Sequence, residues 1–470
     1  MCSITLNGNS TFTLTQTKSA IPKELMTGTA HGLFSFLAQK LSDFVREHHA
    51  EHFSEDQEHH LRLGFTFSFP VDQKGINKGY LIRWTKGFDI QDAVGKDVCQ
   101  LLQQEIDALG LPIVVAALVN DTVGTLMARA YTSPGESGTF LGAIFGTGTN
   151  GAYVEKLDRI TKMTASEEAK AAYGVYDTST GEMVVNTEWG SFDNDLKVLP
   201  DTPYDRALDG NSVNPGMQMF EKRVSGMFLG EILRNAILTL KNEAGLFAPR
   251  EGHNIIVNEN PNLYRPWTID TSFLSLVEAD TSPKFTTSRE LMETELGISG
   301  ASAEDAEAVR IVSRAIGRRS ARLSAIPIAA ILMETKITDD QSGMSSRTVY
   351  ELSKLNLDAQ SPDERPLGTV IYDGLSSVVS TIKTKIAGAA PTVDQAGLSE
   401  GMRGEKFEKV FDIGVDGSVV EYYPGFEKYL REALRETDPN EVGMDPRTTI
   451  GVAKDGSGVG AALIALVASL

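Results

Sequence analysis

Apolar residues recur along this chain at two periods, and the change from one to the other marks out its elements. Ile4 to Leu6 and Thr11 to Thr15 read as short strands joined by an Asn7-Gly8 turn. From Thr29 to Glu47, the residues Leu33, Phe34, Phe36, Leu37, Leu41, Phe44 and Val45 share one helical face. Leu63 to Phe69 predicts a buried strand stopped by Pro70, Gln91 to Leu109 a helix, and Pro112 to Val119 an apolar strand of the parallel-sheet kind. Asn120-Asp121-Thr122 then opens a helix over Val123 to Tyr131. A second module follows: strand Phe140 to Phe145, a turn from Gly146 to Asn150, and strand Ala152 to Val154. Helices are predicted over Pro215 to Asn242 and Ala303 to Met333.

Near the C-terminus, Val410 to Val415 and Ser418 to Tyr423 flank Asp416-Gly417, which taken alone reads as a hairpin turn. A helix, Gly425 to Arg435, comes next. A strand (Thr448 to Val452), a glycine-rich loop (Asp455 to Gly460) and a helix (Ala461 to Leu470) close the chain. Strands alternating with helices predict α/β architecture. The stretch from about 338 to 410 differs: it is polar, rich in Ser, Asp and Gly, with one amphipathic piece from Leu375 to Ile386, and reads as an insertion. No repeat of 20–50 residues is present.

The 470 residues suffice for two or three domains. A formal charge of −19 disfavours nucleic acid and anionic membrane as partners, because both are bound by neutralising phosphate. Two cysteines, Cys2 and Cys99, leave no disulfide framework and fit a reducing compartment. No run of about 18 apolar residues or secretory leader is visible, so a soluble, cytoplasmic protein is expected. His48, His49, His52, His59 and His60 share one polar stretch whose spacing suits an exposed helix end, and no metal site is expected there.

Four turns share a grammar of Gly, Ser, Thr and Asp: Asn120 to Thr125, Gly146-Thr147-Gly148-Thr149, Asp416-Gly417-Ser418 and Asp455-Gly456-Ser457-Gly458. Glycine there permits positive φ and lets backbone N–H groups approach an anion. Two of the turns precede helices, whose N-termini favour anions. Together they predict a nucleotide-phosphate cradle. Asp121 sits where an apolar strand ends, the place where α/β sheets hold ligands, although a helix cap would use the same residue. Phosphoryl transfer to a hydroxyl needs such a carboxylate, with further amides and acids for the remaining hydroxyls. Asn120, Asn150 and Glu188 are candidates, and Thr85-Lys86 adds donors, though Lys86 alone reads as a surface charge.

At these residues the chain resembles eukaryotic hexokinases, the fungal ones most. The match runs through Leu63 to Pro70, Trp84 to Phe88, Val119 to Thr125, Phe145 to Asn150, Asn186 to Gly190, Gln218 to Lys222, Gly414 to Pro424 and Asp455 to Leu463. The resemblance implies an actin/hexokinase-type (ribonuclease H-like) fold with two domains around a cleft. The small domain is expected over 1–120 plus 451–470, and the large one over 121–450. It implies ATP-dependent phosphorylation of glucose and related hexoses at the 6-hydroxyl, the first step of glycolysis, with ATP and Mg²⁺. Asp121 would be the general base. Ser68, Thr85, Lys86, Asn120, Asn150, Glu188 and Glu221 would hold the other hydroxyls. Gly146, Thr147, Gly148 and the loop Asp416, Gly417, Ser418 would meet the phosphates, with Gly456 and Ser457 near the adenosine.

Three departures fall on the nucleotide side. Family members open with a strand and an Asp-Gly-Gly-Thr-type phosphate loop, whereas this sequence opens at what looks like the second strand, and unpaired strand edges are expected beside the gap. Arg318 stands where Thr is usual, and Pro327 where Gly is usual. The stretch 338–410 exceeds the usual link. These features keep a second reading open: a catalytically impaired, sugar-binding regulatory protein.

Overall fold

A computed structural model describes residues 1–7, 10–53, 60–133, 138–166, 178, 180–249, 254–339, 411–437 and 448–468. The stretch 338–410 therefore lies almost wholly outside the described residues, as does its amphipathic piece.

The first two strands are β1 (Cys2–Leu6) and β2 (Phe12–Gln16), paired antiparallel. Helix α1 (Ala30–His48) starts at Thr29, whose side chain accepts from the Gly32 amide, and buries the predicted apolar face. Strand β3 (Leu61–Thr66) is shorter than expected. The chain leaves it at Phe67 and forms a hairpin that the sequence reading missed, β4 (Val71–Gly75) with β5 (Lys78–Leu81). The helix predicted from Gln91 is broken. A single 3₁₀ turn gives way at Gly95, φ +77°, and α2 (Val98–Ala108) begins only after Asp97 caps the Cys99 amide. Strand β6 (Ile113–Val119) runs parallel to β3. Among the described residues β3 pairs only with β6 and β1 only with β2, so each leaves one edge open.

Helix α3 (Asp121–Thr132) leads into β7 (Thr139–Phe145), β8 (Thr149–Lys156) and β9 (Glu182–Asn186). The helix predicted from Pro215 starts late, because the chain turns through Gly216 (φ +75°) and Gln218 (φ +55°). It then forms α4 (Glu221–Val224) and, after Ser225, α5 (Gly226–Glu243). Helix α6 (Ala303–Asp339) contains Pro327 without ending there. Strand β10 (Phe411–Asp416) is followed by a helix, α7 (Ser418–Tyr422), and not by the second arm of a hairpin. The reason is topological: β10 pairs parallel on both sides, with β7 and β11 (Thr448–Val452), so the chain must leave the sheet at Gly417. After β10 and α7 comes α8 (Phe426–Glu436), and after β11 comes α9 (Gly456–Val467). The last glycines are therefore the first turn of a helix and not a loop. The larger sheet has the order β11-β10-β7-β8-β9.

Helices α3 and α9 cross with their backbones touching. A Cβ on Gly460 would lie 2.0 Å from the Gly124 carbonyl oxygen, so only glycine allows this approach. That contact fixes where both helix N-termini emerge. Nearby, Arg129 on α3 is clamped to Asp412 on β10, at 2.6 Å from Nη2 and 3.0 Å from Nε, and the Thr139 hydroxyl donates to the same carboxylate at 2.6 Å. The two side chains are only 12% and 4% exposed. Asp412→Ala would leave the guanidinium buried without its partner, and a loss of about 3–5 kcal/mol is expected. A fall in the urea midpoint checks it.

Candidate functional site

Eight separated stretches meet around one cleft of about 630 Å³. Strand β3 and the residues after it bring Thr66, Ser68, Phe69 and Pro70, and the turn before the Gly95 break brings Thr85 and Lys86. The junction of β6 and α3 brings Asn120 and Asp121. The β7–β8 turn supplies Gly146 to Asn150, and Glu188, Gln218 and Glu221 close one side. Asp416, Gly417, Ser418 and Ser457 close the other. Every predicted site residue except Gly456 lines this space, and Gly456 adjoins it at the start of α9.

The junction Asn120-Asp121 divides the tasks that its sequence left open. Asn120 is the cap, its Oδ1 accepting from the Thr122 amide at 3.0 Å. Asp121 is the first helical residue, and its Oδ1 accepts from the same amide at 2.9 Å. Among the described residues its Oδ2 has no such partner, which leaves it available to a hydroxyl. Because a strand ends and a helix begins here, the carboxylate sits in the positive field of the helix N-terminus, which favours anions.

Glu188 is held in the left-handed region, φ +52°, two residues after the end of β9. Its Oε1 accepts from Asn150 Nδ2 and from Asn186 Nδ2, each at 2.8 Å. Glu221 accepts from the Thr149 amide at 3.0 Å, and a Cβ on Gly148 would come within 2.8 Å of its Oε2. Burial holds the Glu221 carboxyl above the usual range, against the pull of the Thr149 amide and the nearby Lys86 charge. Lys86 donates to the Ser68 carbonyl at 3.1 Å and lies 5.8 Å from the centre of the Phe69 ring, so it is no free surface charge.

On the far side the phosphate-type turns form one floor. The Gly146 amide bonds to the Gly148 carbonyl at 3.0 Å, and a Cβ on Gly146 would meet Gly417 Cα at 3.2 Å. Asp416 ties this floor to α9. Its Oδ1 accepts from Gly417 N at 2.8 Å and its Oδ2 from Gly456 N at 3.1 Å. Burial, together with Glu421 and Asp455, outweighs these amides and pushes its carboxyl up to about 6. A raised value means that folding gains from proton uptake as pH falls from about 6 towards the unfolded value of 3.8. The protonated acid, however, loses one acceptor for the two loops. On the nucleotide role expected of this loop, the Michaelis constant for ATP should rise as pH falls through about 6. Asp416→Asn should hold it high at every pH, and the wild-type minus variant profile isolates this group from the titration of ATP itself.

Arg318 does not enter the cleft. It lies over the Tyr429 ring at 5.7 Å and 3.8 Å from Glu432, both on α8. At the end of α1, His49, Glu51 and His52 come together with ligand atoms within 4.8 Å of one another; none lines the cleft. Two residues escaped the sequence reading. Gln218 lines the cleft, 3.5 Å from Glu221 Oε1 and hydrogen-bonded by the Ser191 hydroxyl, and Asn186 joins Asn150 to Glu188. Their only sequence signal is adjacency to Glu221 and Glu188 in the quoted motifs.

Two hexokinase sequence profiles match the chain, over residues 1–131 and 140–467. The chain belongs to the hexokinase family. A glucokinase of Aspergillus niger is 50% identical across the whole chain and 83% of its own length. Glucokinase-1 of Saccharomyces cerevisiae is 38% identical, again across the whole chain and 82% of its own. The solved hexokinase of Schistosoma mansoni complexed with glucose superposes with a TM-score of 0.70 at 28% identity, covering all of this chain and 82% of that one. The actin/hexokinase-type fold expected from the motifs is thereby established, and with it a hexose kinase of fungal type.

Proposed function

We propose that this hexokinase-family chain transfers the γ-phosphoryl group of ATP to the 6-hydroxyl of glucose and related hexoses. The observation that carries the reading is Asp121. It stands at a helix N-terminus between sugar-type partners (Asn120, Asn150, Glu188, Glu221, Thr85, Lys86) and the glycine turns around Gly146 and Gly417, all in one cleft. Asp121 accepts the hydroxyl proton as the oxygen attacks. The remaining acceptors and Lys86 hold the ring so that this hydroxyl faces the phosphate floor, and positioning supplies most of the rate in such transfers. The Gly146–Thr147–Gly148 and Gly417–Ser418 turns, with Ser457, meet the nucleotide, and magnesium enters as part of the MgATP substrate. The two lobes expected from the sequence, 1–120 with 451–470 and 121–450, close on the sugar and exclude water.

The proposal places the activity in the cytoplasm, which two free cysteines fit. Among the described residues no helix is long and apolar enough to cross a membrane. The test is ADP release from MgATP with and without glucose. Glucose-dependent release is expected. Tight glucose binding with no ADP formed, in folded protein, would replace this reading with that of a sugar-binding regulatory protein.

A further inference from the structure

We propose that Asn186, which does not itself line the cleft, is a positioning residue that sets the orientation of Glu188 towards the sugar. The inference rests on the reading of the cleft as a hexose site and names what gives that site its shape. Asn186 is the last residue of β9, an edge strand, paired with Ala152 on β8. Thr187 is pinned by two bonds to the Gly151 carbonyl, from its amide at 2.9 Å and its hydroxyl at 2.8 Å. The backbone on both sides of β8–β9 is therefore fixed, and the open question is where three polar side chains point.

Asn186 answers it. Its Oδ1 accepts from Asn150 Nδ2 at 2.8 Å and lies 3.4 Å from the Thr122 hydroxyl oxygen. Its Nδ2 donates to Glu188 Oε1 at 2.8 Å. Asn150 is thereby held in one amide orientation: both Nδ2 hydrogens go to Asn186 and Glu188, while Oδ1 takes the Gly151 amide at 2.8 Å. Glu188 has two donors on Oε1, which leaves Oε2 as the acceptor presented to the cleft. The Thr122 hydroxyl, whose single proton goes to Asn120 Oδ1 at 2.5 Å, lies 3.4 Å from the same amide and sets it beside the Asn120-Asp121 junction. Asn150 and Asn186 are the two donors on Glu188 Oε1, so the loss of one of them frees the carboxylate to rotate.

Asn186→Ala is expected to raise the Michaelis constant for glucose about tenfold or more, the scale of one hydrogen bond to a charged group. The constant for ATP and the turnover number should stay within about threefold. Asn186→Asp keeps the acceptor for Asn150 but sets a second carboxylate against Glu188, and should bind glucose more weakly still at neutral pH. The deciding measurement is the cycle with Glu188→Gln. If Asn186 acts through Glu188, the double variant binds glucose no worse than Glu188→Gln alone, within about twofold. Additive losses, or an Asn186→Ala protein with unaltered glucose affinity, overturn the inference. Asn186→Asp, nearly isosteric, preserves the test if the alanine variant melts early. The Glu188→Gln arm separates the two claims: a large glucose defect there with none in Asn186→Ala removes the positioning role alone. No glucose defect in either removes the sugar site itself.

Discussion

Asp121→Ala is expected to lower the turnover number by about 10²- to 10⁴-fold, the usual contribution of a positioned general base. The protein should remain folded, because the helix cap is Asn120 and the Asp121 bond to the Thr122 amide duplicates one that Asn120 already makes. Losing the second bond costs at most about 1 kcal/mol, small against a total of roughly 5–15. Glucose binding should survive, since Glu188, Asn150 and Glu221 approach from other elements. The check is a coupled ADP assay beside a thermal melt and a glucose titration of tryptophan fluorescence, with Trp189 hydrogen-bonded to Thr149 next to the cleft. An Asp121→Ala enzyme retaining a tenth or more of its turnover would remove the base role.

Gly417→Ala should damage the nucleotide side and leave the sugar side alone. Gly417 has φ +117°, and an added Cβ would lie 2.6 Å from the Phe145 carbonyl carbon and 2.7 Å from the Gly146 nitrogen. These are backbone atoms, which cannot swing aside as a side chain does. Strain of this kind costs roughly 1–3 kcal/mol, and moving the Asp416–Ser418 turn relieves it only by dragging Gly146 with it. Both phosphate-type turns shift together. The Michaelis constant for ATP is expected to rise about tenfold or more, each 1.4 kcal/mol being one decade. Glucose affinity measured without nucleotide should change less than about twofold. A matching loss of glucose affinity would show that the substitution disturbs the whole sheet and not the turn.

Most of the candidate residues were legible along the chain because they stand near a strand end, whereas Glu221 opens a helix. Short-range patterning locates strand ends well: β6 and β7 are apolar runs closed abruptly by Asn-Asp-Thr and Gly-Thr-Gly. Where local pattern and tertiary demand disagreed, the reading failed. Asp416-Gly417 has hairpin composition, yet it ends a strand flanked by parallel neighbours, and no local signal reports what lies on either side of a strand. The glycines from Gly456 to Gly460 look like a loop by propensity but form a helix, because contact with Gly124 rewards a bare backbone there. Gly95 and Gly216 broke two predicted helices whose apolar spacing gave no warning.

Periodicity and turn chemistry thus settled the α/β class, most of the element order and the residue types offered to a substrate, since those depend on neighbours within a few positions. Which way the offered groups face was decided in three dimensions. The single free oxygen of Glu188, the fixed amide of Asn150 and the tie from Asp416 to Gly456 each depend on a partner from another element or turn, and hydrogen bonds that span such distances leave no trace in local spacing.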